Sequence, residues 1–145
     1  MSALVSQKSR TGQRLVLQPP ARRTPRQTSH RVLKRFFAIA EAWELSPLQQ
    51  CRLLKIPSVQ VLARYRLGQG PRLSAVQQER AALIANIHNS LAGGGEPNDR
   101  AWAFLHTPQR GEPFGGDSPL YFMLENGLPA MRAVARLLVR ESEPR

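Results

Sequence analysis

Apolar residues recur at helical spacing along most of the chain, and no stretch alternates with the period of a strand. The first helical pattern opens near Thr28 or Ser29, either of which fits an N-cap, and carries Val32, Leu33, Phe36, Phe37, Ile39, Ala40 and Trp43. Ser46-Pro47 is a cap followed by proline at the first helical position, and the short helix it starts turns Leu48, Cys51 and Leu54 inward. It stops before Pro57. Ser58 caps a second short helix from Val59 to about Leu67, closed by Gly68. Ser74 with Gln77 forms a capping box ahead of a longer helix, whose stripe is Leu83, Ile84, Ile87 and Leu91. Gly93-Gly94-Gly95 ends it and is a candidate hinge. Asn98 or Asp99 caps a helix containing Trp102 and Leu105. A loop runs from Pro108 to Gly116. Asp117 or Ser118 then caps a helix with Pro119 at its start, and Gly127 closes it. Leu128-Pro129 opens the last helix, with Met131, Val134, Ala135, Leu137 and Leu138 as its apolar stripe. The expected class is all-α: an N-terminal helix–turn–helix lobe over 28–92, then a small three-helix C-terminal lobe over 97–145. Residues 1–27, rich in Ser, Gln, Thr, Pro and Arg, are expected to be a basic, disordered tail.

Charge sharpens this picture. The 145 residues carry a formal net charge of +11, and nine cationic side chains from Lys8 to Arg35 precede the first acid, Glu41. A front half this basic points to a polyanion partner, DNA first among them, against the plainer reading of a solubilising tail. In a helix–turn–helix the second helix offers its first turns to the major groove. Here Leu62 and Tyr65 take the inward face, and Gln60 and Arg64 lie on the opposite one with Arg66 beside them. Gln suits adenine, and Arg suits guanine or phosphate. Ser46 and Ser58 mark helix N-termini whose backbone N–H groups can meet phosphates, and Arg31 and Lys34 extend the basic surface. Such readers usually work as dimers; Leu83, Ile84 and Ile87 are either that interface or internal core.

Candidate chemistry is sparse. His30, His88 and His106 have no metal-ligand spacing, and Cys51 falls on an inward face. The expectation is a protein that is not an enzyme, without metal or cofactor. No apolar run approaches the roughly 20 residues of a membrane span, and the N-terminus has no signal-peptide pattern, so a cytoplasmic location without membrane contact is expected. Trp102 is either core or an interface anchor, with core favoured. Gly115-Gly116 is either a capping turn or a point of close backbone approach.

The residues Trp102, Leu105, Phe114, Gly115, Gly116, Pro119, Leu120, Met123, Leu124, Gly127, Val134 and Leu138, in this order, resemble the toxin-binding domain of the Xre/MbcA/ParS antitoxins. The front half, 43–91, is similar to that family's Xre-like helix–turn–helix domain, including a Leu45-Ser46 start and Arg80 in the following helix. The resemblance spans roughly residues 30–140. Three features differ from the family pattern: a longer loop before Gly115, the triple glycine, and a longer basic tail. The resemblance implies the antitoxin of a type II toxin–antitoxin system. Its partner would be a RES-domain toxin, which acts on NAD, with operator DNA as a second partner for autoregulation and a homodimer or larger hetero-oligomer as the assembly. It implies toxin contacts at Phe114, Gly115, Gly116, Leu120, Met123, Arg136, Arg140 and Arg145, with the final helix and tail nearest the toxin's active site. The alternative is a stand-alone transcriptional regulator whose C-terminal half only dimerises.

Overall fold

The computed structural model describes residues 24–92 and 99–142, and these are all-α. Seven helices follow one another: α1 (Pro25–Ala42), α2 (Pro47–Leu54), α3 (Val59–Arg66), α4 (Ala75–Ala92), α5 (Asp99–His106), α6 (Pro119–Asn126) and α7 (Leu128–Ser142). The glycine run 93–95, Asn98, Arg145 and most of the expected tail lie outside the described residues.

The helix starts follow from local chemistry. Ser46 accepts from the Gln49 backbone N–H at 3.2 Å, and the Gln49 amide oxygen accepts from Ser46 N–H at 2.9 Å. This reciprocal box satisfies two of the orphan donors at a helix start. Ser74 and Gln77 build the same box ahead of α4, at 3.1 and 2.9 Å. A third closes on Thr24 and Gln27, and it moves the start of α1 ahead of the expected Thr28 or Ser29. Ser29 serves tertiary structure instead: it is buried, and its hydroxyl accepts from Leu73 N–H at 3.0 Å. Ser118, rather than Asp117, caps α6.

α4 is the shared floor. It packs against α1 and α2 on the N-terminal side and against α5 and α7 on the C-terminal side. Ile84 and Ile87 are fully buried within the chain, so they are internal core and present no dimer surface. One apolar cluster runs from Leu33, Phe36 and Trp43 through Leu53, Leu54 and Ile84 to Leu105, Met123, Met131 and Val134, so the two sections share a core. Trp43 stands at the junction. Its indole Nε1–H donates to His88 Nδ1 on α4 at 3.1 Å. Its carbonyl oxygen lies 3.1 Å from His106 Nε2 on α5.

Two expected core residues lie outside. Leu48 is 69% exposed, because α2 buries Gln50, Cys51, Leu53 and Leu54 and turns its first residues outward. Trp102 is 41% exposed, because the inward face of α5 is taken by Ala101 and Leu105. Its ring stacks on His106, with centroids 4.3 Å apart.

Candidate nucleic-acid and partner surfaces

α2 and α3 are joined by the four residues Lys55 to Ser58. Lys55 adopts the left-handed conformation that ends α2, and buried Ile56 plugs the turn into the core. Ser58 caps α3 by accepting from Val61 N–H at 3.2 Å. Leu62 and Tyr65 lock the inner face, both buried, as their spacing predicts. Gln60, Ala63 and Arg64 are exposed on the outer face. No residue in the first turn of α3 is acidic, so nothing there repels an anion.

Arg66 is held differently from its neighbours. Its Nη2 donates to Gln50 Oε1 at 2.8 Å, and its guanidinium lies 4.4 Å above the Phe37 ring. Gln50 is buried and donates in turn to the Leu45 carbonyl at 3.0 Å. Arg66, although exposed, therefore ties α3 to α1 and α2. Ser46 engages both its hydroxyl and its backbone N–H within its own capping box. Arg31 and Lys34 are exposed on α1, while the nearby Arg35 donates to Asn89 Oδ1 at 2.6 Å.

The C-terminal residues divide sharply. Phe114, Leu120 and Met123 were expected at a partner surface, but they are 5%, 3% and 1% exposed. They fill the core, with Phe114 meeting Phe104 and Phe122 edge to face. Gly115 and Gly116 are exposed with φ of +58° and +102°, and a Cβ at either would meet nothing in this chain. Their role within the fold is therefore conformational. Gly116 N–H donates to the Gln109 carbonyl at 2.8 Å, and Gln109 N–H to the Asp117 carbonyl at 3.1 Å, which closes the loop on itself. Arg136 and Arg140 are exposed, and with Val139 on α7 and Asn86, Asn89 and Ser90 on α4 they line a groove of about 560 Å³.

Two side-chain bridges that sequence spacing cannot reveal join the sections. Arg52 Nη2 on α2 lies 3.0 Å from both the Glu125 carboxylate and the Leu124 carbonyl of α6. Arg132 on α7 pairs with Glu79 on α4 at 2.7 Å.

Among the described residues no three His, Cys, Asp or Glu side chains cluster as metal ligands do. Burial pushes the Cys51 thiol up, which keeps it protonated and unreactive. No helix among the described residues is long and apolar enough to cross a membrane. Comparison with protein-family models, with curated proteins and with solved structures found no match.

Proposed function

We propose that this chain is an antitoxin of the Xre-like kind: a DNA reader and a toxin-holding surface built on one helical core. The observation that carries the reading is the division of α3 into a locked inner face, Leu62 and Tyr65, and an open outer one bearing Gln60 and Arg64. A recognition helix needs both, since base contacts are useful only when the helix itself does not move. The basic front half supplies the phosphate attraction. The second surface is the α4–α7 groove, with Arg136 and Arg140 beside the exposed Val139. Its mixed cationic and apolar lining suits a protein surface with acidic groups at its rim. The sequence resemblance of the C-terminal section makes a RES-domain toxin the proposed occupant.

DNA binding is tested with a promoter fragment from upstream of the gene. Arg64→Ala should weaken operator binding by about 1–3 kcal/mol and leave the melting temperature in place. Unchanged affinity at moderate salt removes α3 as the reader. Toxin binding is tested by co-expression with a RES-domain protein encoded beside this chain. The intact protein should rescue growth and co-purify with the toxin, and Arg136→Glu with Arg140→Glu should abolish both. The other reading, a regulator whose C-terminal half only dimerises, predicts that operator binding survives and no toxin is retained.

A further inference from the structure

A cleft of about 890 Å³ lies between the α2–α3 turn and the α6–α7 turn, and Arg80 of α4 is part of its lining. Arg80 is 5% exposed. Its Nη1 donates to the Leu53 carbonyl at 3.1 Å, and its Nε–H has no partner among the described residues. A guanidinium carries five N–H donors, and a buried charge ordinarily has a countercharge. Two acids of this region are paired with other arginines. Glu79, its neighbour in sequence, pairs with Arg132, and Glu125 on the cleft wall pairs with Arg52. Burial lowers the Arg80 pKa, and the neighbouring Glu79 carboxylate offsets only part of that effect.

The walls suit a particular ligand. Leu48 and Val59 are exposed apolar side chains facing this cleft, with Pro129 opposite, and Lys55 adds a cation at the mouth. Gly127 lies beside the guanidinium: a Cβ there would come within 3.4 Å of Arg80 Nη2. The α6–α7 turn therefore lies against the guanidinium. Guanidinium forks match carboxylate and phosphate oxygens in pairs. We propose that this cleft binds a small amphipathic anion, a carboxylate or phosphate on an apolar body, with Arg80 as its charge partner.

The test uses the full chain, amide-resolved NMR at constant ionic strength, and four probes: benzoate, inorganic phosphate, benzamide and a short DNA duplex. Benzoate should shift the Lys55, Ser58 and Gly127 amides saturably. Phosphate should act more weakly at the same amides, and uncharged benzamide should leave them in place. Arg80→Met keeps the side-chain length, removes the charge, and should weaken benzoate binding about tenfold or more. If that variant does not fold, Leu48→Glu replaces an exposed wall residue without touching the core and should weaken benzoate binding in the same way. The proposal is overturned by any of three results: no saturable shift with benzoate, equal response to benzoate and benzamide, or a response unchanged in the variant that folds. A duplex that moves these amides when free phosphate and benzoate do not would assign the cation to a DNA phosphate and also overturn it.

Discussion

Replacing Trp43 with Phe should damage the junction between the two sections more than its modest change in size implies. Trp43 is 1% exposed, and its indole N–H donates to His88 Nδ1 inside the core. Removing the donor takes this buried hydrogen bond from the His88 ring, at about 1–3 kcal/mol. The lost part of the ring removes apolar contact worth about 1–2 kcal/mol more. The sum, about 2–5 kcal/mol, is a large share of the stability of a small domain. Urea unfolding followed by circular dichroism measures it, with the m-value checking that the transition keeps its character. A double-mutant cycle with His88→Leu isolates the hydrogen bond and should give a coupling of about 1–2 kcal/mol. Fluorescence adds a second readout. The chain has two tryptophans, so Trp43→Phe leaves Trp102, which is partly exposed, and the native emission should move to the red. A loss under about 1 kcal/mol together with a coupling near zero would refute the reasoning.

Gly70→Ala should cost about 1–3 kcal/mol, because its Cβ would fall within the ring of buried Tyr65; an unchanged urea midpoint would show that the ring moves aside freely. Glu125→Gln should cost less than about 1 kcal/mol, since the Arg52–Glu125 bridge is largely exposed, and a larger loss in thermal unfolding would mean that the bridge orients α6. Burial raises both the Cys51 thiol and the Tyr65 phenol. The folded protein then holds more protons than the unfolded chain at alkaline pH, so stability should fall as pH rises past the ordinary thiol value of about 8.5. Cys51→Ala should flatten the first part of that fall in pH-dependent urea titrations.

The parts of the fold that were legible in the sequence are those set by local chemistry. Ser46-Pro47, Ser58, Ser74 and Gly127 mark their helix ends because capping needs only neighbours within a turn. The start of α1 was legible by the same rule, in Thr24 with Gln27, but Thr28 and Ser29 offered competing hydroxyls nearer the apolar run. Burial was harder to read. α2 and α5 have eight residues each, so one turn decides which side faces in, and Leu48 and Trp102 lie on the wrong side of that division. The site divides in the same way. Gln60 and Arg64 are exposed where spacing places them, whereas Arg66, also exposed, is tied to Gln50, which precedes it by 16 residues. Phe114, Leu120 and Met123 carry the motif that suggested partner contact, but large apolar residues in a short section are the first to be drawn into its core.

The capping boxes of α1, α2 and α4 all close with a glutamine, at positions 27, 49 and 77, where glutamate would serve equally well as an acceptor. The first turns of α1 to α4 contain no acid at all. A glutamate closure would titrate near pH 4 and would weaken as ions screened it from the helix end. An amide does neither, so these three closures do not depend on titration or on screening of a charge. It also leaves the positive end of each helix uncancelled on a protein that already carries a large excess of cations. Phosphate contacts, by contrast, weaken steeply as salt is added. Secondary structure and the proposed DNA interface thus answer to different variables, and a salt titration of the proposed binding would report on the interface alone.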